Sequence, residues 1–240
     1  MDKEIEQLQQ IIDSSKNIVF LTGAGVSTES NIPDFRSADG LYNMKYDYPP
    51  VEILSHSFFM NHTDIFYDFY RDKMIYPDAK PNTTHYAIAK LEASGKCKGV
   101  ITQNIDGLHS EAGSINVLEF HGTVRKNRCM NCNKFYDVSA IINSTGIPRC
   151  ECGGIIKPEV VLFNEGIDHD VYSNSVRLMS KADTLIICGT SLDVHPASDL
   201  TDFFRGKNIV IIHKDATVRD HIATLLIQKP LGEVWPQIKL

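Results

Sequence analysis

Five short apolar runs rich in β-branched residues constrain this chain more than any other feature. They span residues 17–22 (NIVFLT), 98–103 (KGVITQ), 184–189 (TLIICG), 208–213 (NIVIIH) and 223–228 (ATLLIQ). Strands that are apolar at consecutive positions, rather than alternate ones, are buried on both faces, which is the habit of a parallel sheet. Stretches of helical character separate most of these runs, as at 83–95 and 170–183, and Ile5, Leu8, Ile11 and Ile12 fall at helical spacing near the start. The alternation predicts an α/β fold, a doubly wound, Rossmann-like parallel sheet covered by helices on both faces.

Two excursions interrupt the rhythm. Residues 36–78 are rich in aromatics, and 62–74 within them read as a helix; residues 123–157 hold four of the six cysteines. The expected division is a large domain of 1–35, 79–122 and 158–240. A small zinc-ribbon and helical lobe of 36–78 with 123–157 completes it. A cleft between two such lobes is a common binding site. The net charge of -6 argues against a dedicated nucleic-acid binder, which would carry a basic face. No apolar run approaches the roughly 18 residues of a membrane span. The charged opening, MDKEIEQLQQ, has no signal-peptide core, so a soluble, cytoplasmic protein is expected. Nothing in the sequence indicates an oligomeric state.

Four motifs carry chemistry. Gly23-Ala24-Gly25-Val26-Ser27-Thr28 follows the first strand and matches the dinucleotide turn G-x-G-x-x-G, except that Thr28 holds the last place. The first glycine permits a sharp turn, and the second lets backbone approach a pyrophosphate. No clean helix follows and no ribose-binding acid ends a second strand, so an ordinary dehydrogenase fits poorly. Cys129-x2-Cys132 and Cys150-x-Cys152 give four thiolates in two close pairs. That set suits a structural zinc with no position left for water. Gly153-Gly154 supplies backbone freedom for the tight second pair. TQNIDGLH (102–109) places Gln103, Asn104 and Asp106 at the carboxyl end of a strand, where open α/β sheets bind ligands. His121 precedes a glycine at the end of a short apolar run.

Taken singly these motifs are weak. Together with PDFR (33–36), KPEVVLFNEG (157–166), GTSLDVHPA (189–197) and VIIHKDAT (210–217), in this order, they resemble the sirtuins, NAD-dependent protein deacylases. The resemblance covers essentially the whole chain, in the form of a bare catalytic core of the bacterial kind. It implies that NAD is consumed by breaking its nicotinamide–ribose bond. Gly23, Ala24, Gly25 and Thr28 would hold the pyrophosphate region, and the loop to Asp34, Phe35 and Arg36 would close over the ribose. Phe35 would shield the reactive sugar carbon from water. Asp106 and the backbone of Ile105 would hold the nicotinamide amide, while Gln103 and Asn104 bind its ribose. The acyl oxygen of an acyl-lysine attacks the anomeric carbon, and His121 then acts as general base on a ribose hydroxyl. An imidazole suits that role because its ordinary pKa of about 6.5 lies near working pH.

On the adenosine side the resemblance implies Gly189, Thr190, Ser191, His213 and Leu231. His213 stands where the family usually has asparagine. An acyl-lysine peptide would add as a strand between 163–166 and 192–196, with Phe163, Asn164, Glu165, Gly166, Leu192 and Val194 at its flanks. Val161 and Phe163 would line the lysine tunnel. Asn31 and Asn164 replace family glycines, and asparagine tolerates positive φ. The Tyr-x-x-Arg pair of the branch preferring acidic acyl groups is broken, because Tyr67 is followed at that spacing by Tyr70, with Arg71 one place late. One helical residue turns a side chain by roughly 100°, so acetyl and other neutral acyl groups are expected. A mono-ADP-ribosyltransferase using the same NAD site is the alternative enzyme, and a binding module without catalysis the alternative outside enzymology. Retention of Asn104, Asp106 and His121 favours the deacylase.

Overall fold

The computed structural model describes residues 2–35, 40–41 and 46–240. Arg36 lies outside them. In chain order the elements begin with α1 (Lys3–Ser14), capped by the Asp2 side chain, and β1 (Ile18–Thr22). Two short 3-10 turns follow, at Ala24–Val26 and Thr28–Ser30, where a dinucleotide fold would continue as a helix. The helical insertion contributes α2 (Pro50–Ile53), α3 (His56–Asn61) and α4 (Thr63–Lys73). The chain then returns through α5 (Thr83–Ala93), β2 (Cys97–Thr102), α6 (Leu108–Glu111) and β3 (Val117–Glu119). The second excursion holds β4 (Gly122–Cys129), β5 (Phe135–Asp137), α7 (Ser139–Ile142) and β6 (Ile156–Val160). Last come α8 (His169–Lys181), β7 (Thr184–Cys188), β8 (Asn208–Ile212), β9 (Leu225–Ile227) and α9 (Leu231–Val234).

The six strands of the main sheet run β3-β2-β1-β7-β8-β9, and every described pair in it is parallel. The fold is therefore the doubly wound α/β domain that the apolar runs predict. Alternate residues of β1 serve opposite faces. Ile18 and Phe20 meet α1 and α5, through residues such as Leu8, Ile12, Ile88 and Leu91. Val19 and Leu21 join the layer of Met179 on α8 and Leu200. The consecutive apolar pattern has this cause: both faces are covered, and all five residues of β1 are buried.

The strand order reverses between β1 and β7, so the connections diverge there and leave a crevice at the carboxyl ends of both strands. The second sheet, β5-β4-β6, is antiparallel and separate. The helical insertion and this sheet share one apolar core, in which Phe59, Phe66, Tyr67 and Tyr70 pack with Val124, Cys129, Ile141 and Ile156. The small sheet was not anticipated strand by strand. Its burial is irregular, as along β4, and its pairing is long-range.

Candidate active site and metal centre

The glycine turn forms at the switch point. Gly23 N–H donates to the Cys188 carbonyl, and Gly25 N–H to the Gly189 carbonyl, so the turn after β1 is stitched to the turn after β7. A Cβ on Gly25 would lie 2.8 Å from the Gly189 Cα, and Gly189 itself has φ +61 with Val26 N 2.5 Å from any Cβ. Neither position admits a side chain. Behind the turn, Asn82 at the start of α5 donates to Val26 O (2.8 Å) and Ser30 Oγ (2.9 Å). The same residue caps α5 together with His85.

One cavity of about 820 Å³ runs from this turn between the two lobes. Its walls include Gly23, Ala24, Gly25, Asp34, Phe35, Gln103, Asn104, Ile105, Asp106, His121, Gly189, Thr190, Ser191 and His213. At the other flank they include Val161, Phe163, Asn164, Glu165 and Val194. Residues scattered over the sequence thus converge on one space. Among the described residues, four expected ones are not among its walls. Thr28 donates its hydroxyl to Gly25 O at 3.1 Å and is exposed. Leu192, at φ +57, is buried in the α8 layer, and Leu231 in the core with Val234 and Ile227. Gly166 falls between two wall residues, Glu165 and Ile167, without lining the cavity itself.

Within the cavity the polar groups hold one another in order. Asn104 Nδ2 donates to Ser27 Oγ (3.0 Å), and Ser27 Oγ donates to Asp106 Oδ2 (2.7 Å). The other Asp106 oxygen accepts from Leu108 N–H at 2.8 Å. Gln103 Nε2 donates to Thr190 Oγ1 (2.9 Å), tying the β2 turn to the β7 turn. Ser27 is the residue that reading the sequence did not single out. It sits inside the glycine motif, but its partners lie 77 and 79 residues away.

His121 occupies the junction where β3 ends and β4 begins. Its Nδ1 lies 3.1 Å from the Gln103 carbonyl, an acceptor that has no proton to give. Nδ1 therefore carries the hydrogen, and Nε2 keeps its lone pair. Burial lowers the pKa of His121, with the bond to Gln103 opposing the shift. Burial favours the neutral imidazole, and the Gln103 bond fixes which nitrogen is basic. His213 directly follows β8, its Nδ1 2.9 Å from Asp215 O and 3.1 Å from Asp215 N.

The 163–165 segment is anchored to the helical insertion. His56 N–H donates to Phe163 O, and Phe163 N–H to Leu54 O. Asn164 has φ +70 and Asn31 φ +63, so both asparagines occupy the left-handed region where glycine would be at ease. The Glu165 carboxylate is committed inside the protein: to His56 Nδ1 (2.8 Å), Lys157 Nζ (3.1 Å) and Leu162 N–H (2.9 Å). Arg71 donates to Gly146 O (2.8 Å) and Ser144 Oγ (3.3 Å), and it is not among the cavity walls.

The four cysteines of the small sheet come together, with all four sulfurs within 4.8 Å of one another. Cys129 and Cys152 are 3.4 Å apart, and Cys132 and Cys150 3.6 Å. A tetrahedral zinc with Zn–S of about 2.3 Å needs sulfur–sulfur edges of about 3.8 Å, so the set fits. Gly154 packs so near that a Cβ would lie 2.6 Å from Cys129 Sγ. Tyr136 donates its hydroxyl to Cys150 Sγ at 3.0 Å.

Fold and cleft together define a nucleotide-binding α/β protein with a zinc-organised small lobe. A model of the Sir2 family matches residues 23–196, and the chain belongs to that family, the sirtuins. It is 54% identical over 238 residues to an NAD-dependent protein deacetylase of Clostridium acetobutylicum, covering 98% of this chain and 97% of that one. An NAD-dependent protein deacetylase of Clostridium perfringens is 53% identical over 242 residues, covering 99% of each. A solved structure described as Sir2 bound to acetylated peptide superposes with a TM-score of 0.88 at 36% identity, covering 99% of this chain and 97% of that one. Another, described as a Sir2–p53 peptide–NAD+ complex, gives 0.88 at 36% identity with the same coverage.

Proposed function

We propose that this protein is an NAD-dependent protein-lysine deacetylase, which transfers the acyl group to ADP-ribose and releases nicotinamide. NAD is a substrate here, consumed in each turnover, and zinc is structural. The observation that carries the reading is His121: a half-buried imidazole whose Nδ1 proton is spent on the Gln103 carbonyl, leaving Nε2 as base. It shares one cavity with the glycine turn and with the 163–165 peptide flank.

The residues divide the work as follows. The Gly23–Gly25 turn receives the pyrophosphate, and Phe35 covers the reacting sugar from water. Asn104 and Asp106, linked through Ser27, orient the ribose and the nicotinamide amide. His121 takes the proton of a ribose hydroxyl, which then attacks the acyl carbon. Thr190, Ser191 and His213 serve the adenosine side. Phe163, Asn164 and Val194 flank the peptide, and Val161 lines the lysine tunnel. Glu165 acts through its internal bonds, fixing the loop that presents Phe163. The lobes divide at 36–78 and 123–157, as the excursions suggest. Among the described residues no helix is long and apolar enough to cross a membrane, which supports a cytoplasmic setting.

The test is His121→Ala. The variant should still bind NAD and, with acetyl-lysine peptide, still exchange labelled nicotinamide, because the base acts after nicotinamide leaves. Deacetylated peptide should fall at least about 100-fold. Near-normal peptide turnover would remove the assigned base.

A further inference from the structure

Resting on the reading that the nicotinamide amide lodges at Ile105 and Asp106, we infer that Arg125 is a positioning residue for that pocket. It reaches from the small sheet to pin the turn that carries Asp106. Two observations support this independently.

The first is the bonding of the guanidinium. Arg125 Nε donates to the Asp106 carbonyl at 3.2 Å, and Nη2 to Glu111 Oε2 at 2.6 Å. Glu111 also meets Lys80 Nζ at 3.5 Å, and the Arg125 guanidinium holds its carboxyl below the usual range. One residue earlier, Val124 N–H donates to Ile105 O at 2.9 Å. The small sheet therefore grips two successive carbonyls of the turn. The Asp106 side chain is held from the other side, by Ser27 and Leu108 N–H.

The second is Gly107. It has φ +75, and a Cβ there would lie 2.3 Å from Arg125 Nε and 2.7 Å from its Cδ. The guanidinium side chain occupies the space a side chain at 107 would need. The Asp106 carbonyl belongs to the Asp106–Gly107 peptide plane. Glycine enters positive and negative φ with similar ease, so this plane rotates readily unless something holds its oxygen. Arg125 supplies that hold. A lysine has no planar fork with which to reach Asp106 O and Glu111 together.

β4 also ends at Cys129, so the strand that carries Arg125 is fixed at its far end by the metal site. Order in the cysteine module is thereby transmitted to the nicotinamide pocket.

The experiment measures nicotinamide inhibition, NAD KM and peptide KM for wild type, Arg125→Ala, Arg125→Lys and Gly107→Ala, each checked for zinc content and thermal melting. Arg125→Ala should raise the nicotinamide inhibition constant about tenfold and raise NAD KM, as for loss of one charge-assisted hydrogen bond at a half-exposed site. Peptide KM should stay within about twofold, and zinc should remain. Arg125→Lys should recover only part of the loss. Gly107→Ala should mimic Arg125→Ala, and should cost less in the Arg125→Ala background, where no guanidinium is displaced. An Arg125→Ala protein with wild-type nicotinamide inhibition overturns the inference alone, as does a loss spread equally over nicotinamide, NAD and peptide. A wild type that never releases nicotinamide overturns the proposed function and this inference with it.

Discussion

Lowering the pH from 7 to 5 should destabilise this protein through two buried histidines beneath the glycine turn. His85 and His109 are essentially inaccessible, at 0% and 1% exposure, with ring centroids 4.8 Å apart. His109 Nε2 is 3.0 Å from Thr22 Oγ1, at the end of β1, and His85 belongs to the cap that holds the glycine turn. Burial pushes His85 down to about 4, with Asp106 opposing, and His109 down to about 3, with His85 adding to the effect. In the unfolded chain both titrate near 6.5. Between pH 6.5 and about 4 the unfolded state therefore binds more protons, and stability falls as pH falls. Evaluating the linkage from pH 7 to 5 gives a loss of about 2 kcal/mol per histidine, about 4 for the pair. That is a large part of an ordinary domain's 5–15 kcal/mol. Urea denaturation at pH 7 and 5 is the assay, on wild type and on His85→Gln/His109→Gln. The double variant should lose less stability over that interval by about 4 kcal/mol, whatever its absolute stability. Equal pH dependence in both proteins would refute the assignment, as would an NMR titration of either ring near 6.5.

Further outcomes follow from the other sites. Tyr136→Phe should release zinc to a chelator faster than wild type, because the Cys150 sulfur loses its hydroxyl partner; elemental analysis should give one zinc per chain before chelation. His56→Ala should raise peptide KM severalfold with kcat and NAD KM little changed, because only one of three bonds to Glu165 is lost; an unchanged peptide KM would detach that carboxylate from peptide docking. Arg71→Ala should leave deacetylation within about twofold, since its guanidinium serves Ser144 and Gly146; a selective collapse on succinyl-lysine would place it in the acyl site instead.

How much the sequence disclosed depended on range. The five strands were legible because each is buried on both faces, so its apolar run is continuous; β1, for example, is covered by α1 and α5 on one side and by α8 on the other. The four cysteines were legible because thiolate pairs at short spacing have few other uses in a chain of this kind. Asn31 and Asn164 were legible as left-handed positions because they replace glycines of the family pattern and asparagine tolerates positive φ. Contacts formed by folding over distance were not. Ser27 finds its partners far along the chain, Arg125 meets Asp106 only once the small sheet folds back, and the buried His85–His109 pair leaves no local trace. Leu231 shows the converse, a position carried over by resemblance that here packs in the core and does not line the cavity.

Product analysis by mass spectrometry, on purified protein with NAD and an acetyl-lysine peptide, tests the central claim most directly. Deacetylation predicts one nicotinamide and one O-acetyl-ADP-ribose for each lysine freed, with dependence on both NAD and peptide. Nicotinamide released with ADP-ribose attached to protein, and no deacetylated peptide, would contradict it.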